Sequence, residues 1–188
     1  MTAIVAGAAP LRAARTVAIV LAGVLLVTLA AKVQIPFWPV PMTLHTLAIM
    51  AVASSLGPRL AVATVLGYLA AGAAGFPVFS GTPERGLGVA YMAGPTGGYL
   101  AGYLVAAGLV GALAAGRGLL GRLAAMLAGL AVIYALGLAW LALFVPADRL
   151  VALGLAPFLL GDLVKIGLAA AGTAALPALR RACRTAAR

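Results

Sequence analysis

Apolar residues fill this chain in long runs, separated by connections rich in proline, glycine or arginine. The runs lie near residues 14–31, 43–56, 60–75, 95–115, 123–145 and 156–177. Each approaches the roughly 20 helical residues that a ~30 Å hydrocarbon layer demands. The pattern predicts an all-α integral membrane protein, a six-transmembrane-helix bundle forming a single transmembrane domain over residues 1–188. The second run is short, so its helix should tilt or borrow neighbouring residues. An even number of crossings places both termini on one side.

Composition agrees. Of 188 residues, 65% are hydrophobic and three are acidic (Glu84, Asp148, Asp162), which excludes an ordinary soluble domain. Mean hydropathy is +1.18. Residues 1–10 carry no basic cluster, and the small-residue run Ala6-Gly7-Ala8-Ala9 precedes an apolar core instead of following one. A cleaved signal peptide is therefore not expected. The single Cys183 allows no internal disulfide. The net charge of +10 is scattered between apolar runs without a basic stripe, which suits lipid head groups and topology and gives no reason to expect nucleic acid.

The basic residues orient the bundle. Nine (Arg12, Arg15, Arg59, Arg117, Arg122, Arg180, Arg181, Arg184, Arg188) flank one set of helix ends, three (Lys32, Arg85, Arg149) flank the other, and Lys165 lies inside a run. The richer side is read as cytoplasmic, with both termini there. The expectation is a multi-pass protein of a bacterial plasma or inner membrane.

Two connections on the outer side are unusual. The first, Lys32 to Thr43, holds Pro36, Pro39 and Pro41, which deny the backbone a continuous helix. The second, Phe76 to Gly94, is rich in glycine and aromatic residues and too apolar for a simple solvated loop. Irregular backbone near membrane depth is tolerated where protein buries it or where it lines a cavity. Outer loops 1 and 3 are thus expected to cap a ligand pocket. The inner connections, such as Gly57-Pro58-Arg59, look merely topological.

Absences narrow the chemistry. The chain has no phosphate-binding G-x-x-x-x-G-K-[ST] loop, no nucleophile elbow and no carboxylate pair, and His45 is its one histidine. Neither catalysis, nor a metal site, nor a cofactor is expected. Gly94-Pro95-Thr96-Gly97-Gly98-Tyr99 reads as a tight turn into a helix, with Gly98 and Gly102 permitting close packing.

Binding remains, and the last run points to it. Asp162 and Lys165 stand three residues apart on one helix face, inside from Pro157 at the first turn. Charges at membrane depth are costly and need a partner or a task. One reading is a self-contained ion pair that locks the bundle. The other is a pocket floor, where an acceptor-only carboxylate beside a three-donor ammonium would suit a cyclic urea: its N–H groups to Asp162, its carbonyl to Lys165. Thr43 and His45 are placed at the start of the second helix, where i, i+2 spacing lets at most one point straight inward; His45 suits packing as well as ligand contact. Trp38, Phe79 and Tyr91 could clamp an apolar ring or form an interfacial belt. Glu84 and Arg85 read as solvated residues, or Arg85 as a partner for a ligand carboxylate. Gln34 carries no direction either way. Ala14, Ala18 and Ala22 form a small-residue stripe for packing inside the chain or for docking a partner subunit.

Gln34-Ile35-Pro36 with Pro39-Val40-Pro41-Met42-Thr43-Leu44, then Gly75-Phe76-Pro77-Val78-Phe79-Ser80-Gly81, Gly94 to Tyr99, and Pro157-Phe158 with Gly161-Asp162 and Lys165 together resemble the BioY biotin transporter family. These are the substrate-binding S components of energy-coupling-factor (ECF) transporters. The resemblance spans roughly residues 12 to 178; it departs at His45, where the family is expected to carry Gln. It implies biotin uptake: a biotin pocket near the outer face, closed by the first and third loops. It also implies that Ala14, Ala18 and Ala22 contact a transmembrane T component coupled to cytoplasmic ATPase subunits. Two other readings of the residues stay open: a solitary proton-coupled transporter of biotin or another small vitamin, and a small membrane scaffold.

Overall fold

The computed structural model of the chain describes residues 8–36 and 38–186, with side-chain surroundings for 11–36 and 38–175. Phe37, Arg188 and the side chains of Arg180, Arg181, Cys183 and Arg184 lie outside the described residues. The chain is mostly helical. Four stretches are long and apolar enough to cross a membrane: Leu11–Lys32, His45–Ala73, Leu119–Leu141 and Ala147–Ala175, with a shorter apolar helix at Gly97–Leu113.

Helix α1 (Ala8–Lys32) ends where the prolines begin. There the chain forms a two-stranded antiparallel ribbon, β1 (Gln34–Ile35) against β2 (Met42–Thr43), pairing Gln34 with Thr43 and Ile35 with Met42. Thr43 thus belongs to a strand and not to the start of a helix. Helix α2 begins two residues later and runs His45–Ala73 with a break at Gly57 (φ 76°, ψ 175°), a conformation open essentially to glycine alone. Pro58 then starts a fresh helical leg, where its missing N–H costs nothing. The two legs, 45–56 and 58–73, run antiparallel: His45 near one end and Tyr68 near the other meet side chain to side chain at 2.8 Å. Gly57-Pro58 is therefore a hairpin turn. It packs on Gly111, where a Cβ would stand 2.6 Å from the Pro58 nitrogen.

A short helix α3 (Gly88–Met92) sits inside the loop after α2, and α4 (Gly97–Leu113) follows it. Helix α5 (Leu119–Leu141) lies against α4 so closely that a Cβ on Gly102 would stand 2.8 Å from Ile133 Cα and one on Gly98 would strike the Leu136 carbonyl. A one-turn 3-10 helix (Ala147–Arg149) and α6 (Leu150–Gly154) fill the connection to α7 (Ala156–Ala186), a segment that hydropathy alone left as loop. Tyr99 donates to the Gly154 carbonyl at 2.7 Å and Trp140 to the Gly94 carbonyl at 2.9 Å, tying these connections to the loop-bearing end of the bundle.

The opposite end is closed by one arginine. Proline at 58 deprives the Ser54 carbonyl of the N–H it would receive in an unbroken helix. Arg122 at the start of α5 supplies the donor, reaching Ser54 O at 3.0 Å and also Ser54 Oγ, which donates in turn to Thr173 of α7 at 3.3 Å. Removing the guanidinium orphans that carbonyl, so Arg122→Ala should destabilise the detergent-solubilised chain by about 1–3 kcal/mol, read as a fall in the thermal unfolding midpoint. Thr64 presents the opposite case: its hydroxyl is fully buried at the α1–α2 crossing without a partner among the described residues. Thr64→Val keeps the shape and removes the orphan, so it should raise the midpoint; a fall would contradict this reading.

Candidate functional site

At the loop-bearing end, α7 contributes Asp162 and Lys165 to a small cavity. The two are 6% and 8% exposed, and the ammonium meets Asp162 Oδ1 at 2.9 Å. Each also has a second partner. Lys165 donates to the backbone carbonyl of Thr43 at 2.6 Å, and Asp162 Oδ2 accepts the Tyr134 hydroxyl at 2.7 Å. Two of the three ammonium donors are therefore engaged among the described residues, and each carboxylate oxygen holds one donor with acceptor capacity to spare. The arrangement locks α7 to α5 and to the ribbon while keeping both charges addressable from the cavity.

The cavity measures about 40 Å³, room for roughly two or three waters. Its floor is Thr43, Asp162 and Lys165; its walls include Tyr103 and Tyr134 from the helices, and Ser80 and Tyr91 from the long loop. Tyr91 donates to the Ser80 carbonyl at 2.8 Å and accepts from the Ser80 hydroxyl at 3.0 Å, so the loop presents its polar groups as one fixed unit.

Both Thr43 and His45 face this space, against the helical-spacing argument that at most one would do so. The reason is the strand: Thr43 obeys ribbon geometry, and its Oγ1 accepts the backbone N–H of His45 at 3.3 Å as the helix begins. Tyr91 also lines the cavity. Phe79 does not line it but stands behind the wall, fully buried and stacked on Tyr91 with ring centroids 4.8 Å apart. Trp38 is 78% exposed and lies outside the pocket, with the Arg85 guanidinium 5.6 Å from its ring centroid. Arg85 donates to the Pro39 carbonyl at 3.1 Å, so it fastens the two loops to each other. Glu84 is exposed beside it, and Gln34 is exposed on the ribbon. Ala14, Ala18 and Ala22 are exposed on α1.

Several contributors escaped the reading of the sequence, Ser80 among them. Tyr134 and Tyr103 stand in apolar runs where a tyrosine resembles core or belt; their hydroxyls, which must find partners when buried, were the available signal. Lys32 was counted as a topology charge. Its ammonium instead holds the long loop, donating to Phe79 O at 2.9 Å, Thr82 O at 3.2 Å and Thr82 Oγ1 at 2.8 Å.

Comparison with known proteins gives this geometry a context. The profile of the BioY family matches residues 3–183. The chain is 36% identical over 156 residues to a probable biotin transporter BioY of Pyrococcus horikoshii, covering 83% of this chain and 92% of the relative. It is 37% identical over 147 residues to the biotin transporter BioY of Thermotoga maritima, covering 77% and 85%. The structure is similar to the crystal structure of the S component for biotin from an ECF-type ABC transporter, with a TM-score of 0.77, 25% identity, and coverage of 88% of this chain and 92% of that one.

The pair's geometry sets an expectation for stability. Lys165→Met leaves a buried carboxylate without its counter-ion and should cost about 3–5 kcal/mol, whereas Lys165→Met with Asp162→Asn should recover most of that loss. Thermal unfolding of the two variants checks the order; a double variant as unstable as the single would contradict it.

Proposed function

The chain belongs to the BioY family, and from that we propose that its cavity binds the ureido ring of biotin on Asp162 and Lys165. It is a transporter subunit and not an enzyme: a biotin-binding S component that takes part in biotin uptake. The observation that carries the site is the buried Asp162–Lys165 pair opening onto a cavity under two loops.

The remaining hydrogen-bonding capacity fits the ring. Ureido N–H groups meet the free lone pairs of Asp162, and the third donor of Lys165 meets the ring carbonyl. Tyr91, Ser80, Thr43 and His45 are the next contacts, with Tyr103 and Tyr134 along the side. Phe79 acts through Tyr91. Trp38, Arg85 and Glu84 belong to the rim, and the clasp from Arg85 to Pro39 and Trp38 supports a capping role for both loops. Small-ligand pockets run to roughly 300–1,000 Å³, so a cavity of about 40 Å³ admits biotin only as the loop-borne wall moves outward.

The hairpin at Gly57 divides α2 into two crossings, and with α1, α4, α5 and α7 this supports a six-helix bundle with both termini in the cytoplasm. The pocket then faces the outside of a bacterial plasma or inner membrane. The exposed Ala14, Ala18 and Ala22 support a docking stripe for a transmembrane T component, through which cytoplasmic ATPases drive delivery.

Direct binding tests the assignment. Purified chain should bind labelled biotin, and Asp162→Asn and Lys165→Ala should each weaken binding at least about tenfold, the loss of one charge-assisted hydrogen bond or more. Undiminished binding by both variants sinks the site. Replacing Ala18 and Ala22 with leucine should abolish co-purification of the T component while leaving biotin binding intact.

A further inference from the structure

Behind the cavity wall stands a tyrosine that does not itself line the pocket. Tyr68, on the second leg of α2, is fully buried, and its hydroxyl sits 2.8 Å from His45 Nε2 and 3.4 Å from the Val78 carbonyl. The 2.8 Å contact is the shorter of the two, and either group can donate in it, depending on the His45 tautomer. The other ring nitrogen, Nδ1, lies 3.1 Å from the Thr43 hydroxyl. Thr43, His45, Tyr68 and Val78 thus form one continuous hydrogen-bonded series. Thr43 is also the residue whose carbonyl receives Lys165. At the other end, Val78 opens the loop segment that carries Phe79 and Ser80 into the wall.

Aromatic packing follows the same route. The Tyr68 ring meets His45 at 5.5 Å and Phe79 at 5.4 Å, both edge to face, and Phe79 stacks on Tyr91. Gly72, one turn beyond Tyr68, makes room: any Cβ there would strike the Phe79 ring. The pocket floor and its movable wall are thus joined by one histidine and one tyrosine.

We propose that Tyr68 is a positioning residue for ligand retention: through His45 it fixes the loop-borne wall of Ser80 and Tyr91 against the floor of Thr43 and Lys165. The inference rests on the assignment of biotin to this cavity. It gives His45 a task beyond inert packing and in addition to its place in the cavity lining. Because the link acts on a wall that must open for the ligand and close behind it, its loss speeds departure more than it slows arrival.

The test is the pair of rate constants for biotin on the purified full chain and on Tyr68→Phe, His45→Asn and the double variant. Asn places its amide near the position of Nδ1, so it keeps a polar partner for Thr43 but falls short of Tyr68. Each single variant should release biotin about tenfold faster, with association changed less than about twofold. The double variant should be no faster than either single, because all three break the same link. Gly72→Ala is a second route to the same end: it displaces Phe79 in a residue type that favours helix, and it should also speed release. Release from Tyr68→Phe and Gly72→Ala within twofold of the parent, or additive effects in the double variant, overturns the proposal while leaving the biotin site standing. A parent chain that holds no biotin overturns the biotin assignment and this inference with it.

Discussion

The structure depends on the cost of holding two charges inside an apolar bundle. Asp162 and Lys165 cannot be left to themselves there, so α7 pairs them through its own helical spacing and two other elements are committed to them: α5 through Tyr134 and the ribbon through the Thr43 carbonyl. The ribbon exists because three prolines prevent a helix there, and its short strands bring a backbone carbonyl to the ammonium. A non-helical segment thus supplies the backbone carbonyl that satisfies a buried charge.

Around this pair the bundle divides its labour between its ends. The loop-bearing end is held by contacts that cross connections: Lys32 to the long loop, Arg85 between the loops, Tyr99 to α6. The opposite end is closed by Arg122, which restores to Ser54 the donor that Pro58 removes. One end is built around a cavity under two loops; the other is a turn fixed by a part-buried guanidinium contact.

Much of this was legible in the sequence, for physical reasons. Apolar runs locate helices because lipid tolerates little else, and Asp162 with Lys165 stood out because charges are expensive there. The motifs around them carried the resemblance that the family profile bears out. What stayed hidden depended on direction. Gly57-Pro58-Arg59 looked like a simple connection, and nothing in it announced that Ser54 would need Arg122. Trp38 was a natural candidate for a ring clamp, yet it faces outward, because burial of an aromatic depends on which way a proline-rich loop turns. In the sequence Tyr134 is one aromatic in an apolar run and Lys32 a topology charge; their bonds to Asp162 and to the long loop emerge only from the fold. Thr43 and His45 were weighed as helical neighbours, and the strand changed their relation.

The central claim is that Asp162 receives a ureido N–H, and a paired change in ligand and protein tests it most directly. Affinities of biotin and of biotin methylated on one ureido nitrogen are measured on the parent chain and on Asp162→Asn. If Asp162 accepts that N–H, methylation should weaken binding to the parent by about tenfold or more and cost the variant far less, since the acceptor it disables is already weakened. An equal penalty in both proteins would contradict the account and place the ureido ring elsewhere in the cavity.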